Sequence, residues 1–256
     1  MGSNDPGYLR DVQYRTDKNL AARQSIYAYQ RPAIDRPASV LDLAGIGPDS
    51  TVADIGCGNG AYLAELIRRD HRGPMLGVDM SMGMLAAASS RAPRATLLAG
   101  NAAALPLADH IADLAMANHM LYHVPDPERA IAELRRITRP GGQVIVTLNG
   151  ANHLRELNAV VADALRSLGT GLRSPSPSHG EIRLDDAGPL LRRFFSSVTR
   201  HEFTSTLYVP GPEPVVNYVR SMIASDRAAG LPAAVASLLP DDFTITANCG
   251  VLVCTG

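Results

Sequence analysis

Short apolar segments alternate with helix-forming segments through the middle of this chain, and this alternation is the strongest constraint on its fold. The predicted strands are residues 51–55, 75–79, 95–98, 111–117 and 143–148, with predicted helices at 60–70, 81–91 and 127–138. Alternation at this spacing indicates βαβ units, in which parallel strands lie side by side and helices cover both faces. The sequence therefore predicts a doubly wound α/β sheet, which binds ligands beyond the carboxyl ends of its strands.

A glycine-rich loop follows the first of these strands. The apolar segment Val52–Ile55 leads into Gly56, Gly58 and Gly60, and the next helix begins directly afterwards. Glycine has no Cβ, so a backbone with glycine at every second position can take positive φ and approach a ligand closely. The helix presents free N–H groups and the positive end of its dipole to the same place. We therefore expect a small molecule to bind at this loop.

The acid at the end of the second strand narrows the class of ligand. Asp79 comes 19 positions after Gly60, and a carboxylate there can accept hydrogen bonds from both hydroxyls of a ribose. The dinucleotide fingerprint is G-x-G-x-x-G, whereas the third glycine here, Gly60, comes one position earlier. The loop and Asp79 predict an adenosine-type ligand and leave its identity open.

The remaining strand ends distinguish between such ligands. Leu98–Leu107 follows the third strand, Ala117–Asp126 follows the fourth, and Glu133–Gly142 precedes the fifth. With these motifs, residues 48–150 resemble the class I S-adenosylmethionine-dependent methyltransferases. The similarity is to the small-molecule branch of that family, which includes the quinone methyltransferases.

The resemblance implies a complete fold. It implies a mostly parallel, Rossmann-like sheet of seven strands with an antiparallel last strand, an N-terminal helical lid and a C-terminal cap insertion. The chain would then divide into the lid (1–47), the S-adenosylmethionine-binding core (48–150) and the last strands with the inserted substrate cap (151–256). We expect the three parts to form one compact domain.

The resemblance also assigns roles in cofactor binding. Asp54 would meet the methionine part of S-adenosylmethionine, Asp79 the ribose diol, and Met80 would pack on the adenine. Asn101 and Ala102 would face the adenine edge; most family members carry Asp at the position of Asn101, but an amide can also accept from and donate to adenine. The predicted cofactor-binding residues are Tyr14, Arg23, Asp54, Gly56, Cys57, Gly58, Gly60, Asp79, Met80, Asn101, Ala102, Asn118 and His119.

Methyl transfer from a sulfonium requires alignment of nucleophile, methyl carbon and sulfur, and a general base where the nucleophile carries a proton. The candidate catalytic residues are His119, just past the fourth strand, His153, after the fifth, and Tyr14, beside the N-terminal helix. Each has a structural alternative: contact with cofactor or backbone for the histidines, and lid packing for Tyr14. Arg23, on the same helix, could pair with the cofactor carboxylate. No metal is required.

Composition argues against several other classes of protein. The net charge is −1 and no dense run of Lys or Arg occurs, so we expect no nucleic-acid partner. The polar N-terminus is not a signal peptide, and no apolar run approaches the ~20 residues of a membrane span. Three scattered cysteines suit a reducing cytoplasm. We therefore expect a cytoplasmic protein with a small-molecule substrate and no membrane partner, and a homo-oligomer is compatible with the sequence.

The leading hypothesis is S-adenosylmethionine-dependent methylation of an O, N or C atom of a small molecule, such as a secondary metabolite, with S-adenosylhomocysteine as the product. One alternative keeps the fold and changes the chemistry: the chain would bind the cofactor or another ligand for a non-methylating reaction such as cyclisation, or act as a partner subunit. An NAD-dependent oxidoreductase is a third hypothesis, and it requires the glycines in the other register.

Overall fold

The computed structural model describes residues 5–169, 171, 182–222 and 230–256. Within this part of the chain, eight strands form one mixed sheet. The strands are β1 (Gln30–Arg31), β2 (Val52–Ile55), β3 (Met75–Asp79), β4 (Thr96–Ala99), β5 (Ala112–Asn118), β6 (Thr138–Asn149), β7 (Ser197–Tyr208) and β8 (Thr244–Thr255). Their order across the sheet is β1-β7-β8-β6-β5-β2-β3-β4.

The strand directions confirm the predicted fold class. Strands β2 to β6 pair in parallel, and the last strand, β8, is antiparallel to both β6 and β7. The predicted number of seven strands needs one correction, because β1 adds an eighth strand at the edge. It pairs Gln30 with Leu207 and Arg31 with Thr206, and two residues are too few to show the alternating pattern by which strands are recognised.

Ten α-helices occur among the described residues. They are α1 (Pro6–Tyr8), α2 (Lys18–Ser25), α3 (Arg36–Leu41), α4 (Ala61–Arg68), α5 (Met82–Arg91), α6 (Pro127–Ile137), α7 (Arg155–Ser167), α8 (Leu184–Leu191), α9 (Pro212–Met222) and α10 (Leu231–Leu238). The sequence predicts that the N-terminal lid helix covers residues 17–30. The α-helix observed is shorter, because α2 is followed by a 3₁₀ turn at Ile26–Tyr29 before β1. None of the helices described is both long and apolar enough to cross a membrane.

The two faces of the sheet carry separate apolar cores, because side chains alternate along each strand. On β6, Val144 and Val146 pack on one face with the apolar sides of α6 and α8. Ile145 points to the opposite face, which α3, α4 and α5 cover. The alternation therefore places helices on both sides of the sheet and leaves the strand ends free to build a site.

A third apolar core lies with the helices that follow the parallel strands. This core contains Leu157 of α7, Val219 of α9, Val235 of α10 and Ile245 of β8. Ile26 also packs there, from the N-terminal segment, by which we mean residues 5–31. The predicted division at residues 47 and 150 stays a prediction. The sequence also predicts a loop rich in Ser, Pro and Gly over residues 169–180, and most of it falls in residues 172–181, outside the described residues.

Candidate functional site

A cavity of about 470 Å³ lies beyond the carboxyl ends of the parallel strands, which is the size range of small-molecule sites. The predicted site residues that line it are Tyr14, Arg23, Asp54, Gly56, Cys57, Gly58, Asp79, Met80, Asn101, Ala102, Asn118, His119 and His153. Gly60 does not line it. This glycine begins α4 with a φ of 75° and packs against Ala88 of α5, so its place in the loop is to start the helix.

The glycine loop lies on the floor of the cavity. Gly56 and Gly58 have φ values of 69° and 53°, which are left-handed conformations that favour glycine. The N–H groups of Gly56 and Cys57 both donate to the carbonyl of Val78 on the neighbouring strand. The Cys57 thiol is buried in the core beneath the sheet, so this residue offers only its backbone to a ligand.

Asp79 is held in place by the backbone around it. Its Oδ2 accepts from the N–H of Gly58 at 2.9 Å, and its Oδ1 accepts from the N–H of Ser81 at 2.8 Å. Burial raises the pKa of this carboxyl, and the backbone donors oppose the shift. Each oxygen keeps a further lone pair, so Asp79 can accept the two hydroxyls of a ribose.

Asp54 is the residue before the last of β2 and is 1% exposed. Neither carboxyl oxygen has a hydrogen-bond partner among the described residues. Burial, followed by the nearby charge of Asp79, raises the pKa of Asp54 to about 8, and the neighbouring amide of Asn118 opposes the shift. A buried carboxyl in this state is stabilised by a cationic ligand group, because such a group would favour its ionised form.

Asn118 ends β5 beside Asp54, and His119 follows it. The hydroxyl of Thr147 donates to Asn118 Oδ1 at 2.6 Å, which leaves the buried amide nitrogen without a partner among the described residues. His119 has a φ of 53°, a left-handed conformation found at few non-glycine residues. Burial lowers the pKa of His119 to about 3, so the imidazole is neutral and weakly basic.

The N-terminal segment covers the cavity. The Ser81 hydroxyl donates to the carbonyl of Tyr14 at 2.6 Å, and the Tyr14 phenol lies 2.9 Å from His123 Nε2. Leu20 of α2 lies over Gly58. The guanidinium carbon of Arg23 lies 5.0 Å from the centroid of the Tyr14 ring, and its Nη2 is buried without a partner among the described residues. These contacts hold the segment across the glycine loop.

His153 has both ring nitrogens engaged. Its Nδ1 lies 3.2 Å from the N–H of Asn248, and its Nε2 lies 3.1 Å from the Tyr27 hydroxyl. Because a backbone N–H can only donate, Nδ1 accepts, and the ring hydrogen of the neutral imidazole lies on Nε2. Burial lowers the pKa of His153 well below its ordinary value. A role for this residue as a base stays a prediction.

Three of the predicted cofactor-binding residues line the cavity after the ends of β3 and β4. Met80 is 36% exposed, so its side chain is free to pack on a flat ligand group. Asn101 Oδ1 already accepts from the N–H of Ala103 at 2.9 Å, which leaves its amide nitrogen as the free donor. Ala102 lines the wall beside it.

Several lining residues were not predicted from the sequence. Tyr27, Arg36, Tyr62 and Tyr122 come from separate helices and turns and form no motif in the chain. Asn149 ends β6, so the rule that ligands bind at strand ends would have identified it. No three His, Cys, Asp or Glu side chains converge as metal ligands in the described part of the chain.

The polar groups that line the cavity are complementary to those of S-adenosylmethionine. The unpaired carboxyl of Asp54 could hold an ammonium group, and the unpaired guanidinium nitrogen of Arg23 could hold a carboxylate. Asp79 could hold the ribose diol, as described above. The fit rests on buried polar atoms that find no partner in the described protein, because such atoms are costly unless a ligand pairs with them.

Comparison with known proteins agrees with this chemistry. Residues 53–146 match the family model described as a methyltransferase domain. A demethylmenaquinone methyltransferase of Renibacterium salmoninarum is 35% identical over 107 residues, which are 42% of this chain; the match covers 44% of that protein, so the chain spans less than half its length. An uncharacterized methyltransferase of Mycobacterium tuberculosis is 26% identical over a match that covers 81% of this chain and 78% of that protein.

A solved structure shows the same fold. The phosphoethanolamine N-methyltransferase 2 of Haemonchus contortus, in complex with S-adenosylhomocysteine, matches with a TM-score of 0.62 and 18% identity, over 100% of this chain and 60% of its own. The sheet order, the strand-end site and these matches agree. Residues 53–146 therefore form a methyltransferase domain, and the chain is similar to the class I S-adenosylmethionine-dependent methyltransferases in sequence and fold.

Proposed function

We propose that this protein transfers a methyl group from S-adenosylmethionine to an O, N or C nucleophile of a small molecule by in-line displacement. The observation that carries the proposal is the pair of carboxyl groups on adjacent strand ends, Asp54 and Asp79. One is buried without a partner in the described protein and the other is fixed by two backbone N–H groups. A ligand with an ammonium group and a ribose diol pairs with both.

The cofactor supplies a sulfonium methyl group that is already activated for displacement. In our proposal Asp54 binds the ammonium, Arg23 the carboxylate and Asp79 the ribose hydroxyls. Met80, Asn101 and Ala102 receive the adenine, as their position at one end of the cavity allows. The remaining wall, with Asn118, His119 and Tyr14, faces the sulfonium.

The protein contributes alignment and the exclusion of water. The N-terminal segment lies over the glycine loop and is fixed through Tyr14 to Ser81 on one side and His123 on the other. Holding two reactants in a near-attack geometry supplies on the order of 7–11 kcal/mol in favourable systems. No observation in the structure favours the non-methylating alternative.

The test is turnover with the purified chain. S-adenosylmethionine is incubated with a panel of small acceptors of different chemical classes, and S-adenosylhomocysteine and the methylated product are measured by mass spectrometry. We expect equal amounts of the two products for at least one acceptor, and loss of both in Asp79→Ala. Tight cofactor binding with product formation that involves no methyl group would overturn the proposal in favour of non-methylating chemistry.

A further inference from the structure

The cavity contains more arginines than the cofactor has carboxylates. Arg23, Arg36 and Arg129 line it; Arg129 is exposed at the mouth beside Asp126, whereas the other two are partly buried in the wall. Neither Arg23 nor Arg36 forms an ion pair among the described residues. S-adenosylmethionine has one carboxylate, so at most one of these two arginines is needed for it.

The position of each arginine decides between them. Arg23 is on α2, the helix that lies over the glycine loop through Leu20, where the methionine part of the cofactor is proposed to bind. Arg36 begins α3. It lies close enough to His119, which follows β5, and to His153, which comes four residues after β6, that its positive charge adds to burial in lowering the pKa of both imidazoles. His119 belongs to the wall that is proposed to face the sulfonium, so Arg36 is the arginine available to an acceptor placed there.

Arg36 belongs to a connected group of donors. Its guanidinium carbon lies 3.7 Å from the centroid of the Tyr27 ring. The planes of the Tyr27 and His153 rings lie at 16° to each other, and the Tyr27 hydroxyl is hydrogen-bonded to His153 Nε2. Since His153 Nε2 donates, the Tyr27 oxygen accepts, and the phenolic hydrogen is left to donate to something else.

We infer that Arg36 and Tyr27 form a carboxylate-binding site for the methyl acceptor, which is therefore an organic acid. A guanidinium can donate two parallel charge-assisted hydrogen bonds to a carboxylate, and a phenol can donate a short O–H···O⁻ bond to it. His153, anchored on the backbone of Asn248, is a positioning residue that fixes the Tyr27 hydroxyl. Of the carboxyls that line the cavity, Asp54 and Asp79 are assigned to the cofactor and Asp126 lies at the mouth beside Arg129, so none of them is assigned to Arg36. The inference rests on the proposed function.

The test uses the full chain saturated with S-adenosylhomocysteine and titrated by calorimetry with matched pairs of an acid and its primary amide: benzoate and benzamide, cinnamate and cinnamamide, indole-3-acetate and its amide. The pairs share shape and differ in charge. We expect at least one acid to bind tenfold or more tightly than its amide. Arg36→Gln should remove at least tenfold of that acid affinity and leave the affinity for S-adenosylhomocysteine within about threefold.

Three further variants separate the roles. Arg36→Lys should recover part of the affinity for the acid. Tyr27→Phe, which keeps the ring, should lower that affinity. Arg23→Gln should instead lower the affinity for S-adenosylhomocysteine. Equal binding of every acid and its amide would overturn the inference, as would an Arg36→Gln variant that loses the cofactor and keeps the acid preference. Failure of the wild-type chain to bind S-adenosylhomocysteine would instead overturn the proposed function.

Discussion

At the scale of single residues, the buried carboxyl of Asp54 is the most unusual group in the cavity. Removal of a carboxylate from water is costly unless it is paired, and this one has no partner among the described residues. Its pKa of about 8 means that the ligand-free protein holds a proton there at neutral pH. A bound ammonium group would lower that pKa, so cofactor binding and proton release are linked.

The linkage gives a measurable result. At pH 7 the Asp54 carboxyl is mostly protonated, so binding of S-adenosylhomocysteine should release about one proton. Affinity should rise with pH as pH approaches the pKa of about 8 from below, because less work is then needed to ionise the carboxyl. Calorimetry at pH 7 in two buffers of different ionisation enthalpy measures the protons released. The Asp54→Asn variant should release no proton. If the wild-type chain also releases none, Asp54 is not the group that binds the ammonium.

His119 gives a second residue-scale prediction. With a pKa of about 3, its imidazole is too weak a base to supply the roughly 10²–10⁴-fold of a well-matched general base. We therefore expect His119→Ala to lower kcat by less than tenfold, and the pH profile of kcat/KM to show no histidine inflection between pH 6 and 7. His119→Asn is the control, because asparagine tolerates the left-handed backbone. A loss of 100-fold or more in His119→Ala alone, with unchanged affinity for S-adenosylhomocysteine, would restore the role of base.

At the scale of elements, the N-terminal segment and α5 are in direct backbone contact at Gly83. A Cβ at this position would lie 1.8 Å from the carbonyl oxygen of Arg15, so no larger residue fits unless the segment moves. This contact lies next to Ser81, whose hydroxyl holds Tyr14. One glycine therefore decides how closely the segment covers the cavity.

We expect Gly83→Ala to displace the N-terminal segment without unfolding the sheet. Affinity for S-adenosylhomocysteine should fall by about tenfold, and trypsin should cleave faster after the arginines of the segment, because a loosened segment opens more often. Gly188→Ala is the matched control: it also replaces a helical glycine, and its nearest neighbour would be the flexible end of Arg192 at 3.5 Å. Equal trypsin rates in wild type and Gly83→Ala would contradict this account of the segment.

The elements also show what sequence reasoning could reach. The parallel strands and their helices were predicted because period and turn residues are local signals, and Asp54 and Asp79 were found because strand ends meet at one edge. The two-residue β1 and the early end of α2 depend on pairing with β7, which lies far away in sequence. His153 was predicted from its place after the fifth strand, but Arg36 and Tyr27 reach it only through tertiary packing, and no spacing in the chain marks those two residues.

At the scale of the whole molecule, the cavity lies where the sheet, the third apolar core and the N-terminal segment meet. The sheet supplies Asp54 and Asp79, the N-terminal segment supplies Tyr14 and Arg23, and α9 of the third core supplies Tyr218. A ligand in this cavity contacts all three parts, so its binding should stabilise the whole fold. A ligand at a free concentration of one hundred times its Kd adds about 2.7 kcal/mol to the free energy of unfolding.

The most direct test of the central claim is calorimetric titration of S-adenosylhomocysteine into the wild-type chain and Asp79→Ala. Asp49→Ala serves as the control, because it removes an exposed carboxylate that pairs only with Arg72 among the described residues. We expect one molecule bound per chain in wild type and control, and a loss on the order of 10²-fold or more in Asp79→Ala at an unchanged far-ultraviolet spectrum. Wild-type affinity in Asp79→Ala would contradict the site and the function proposed from it.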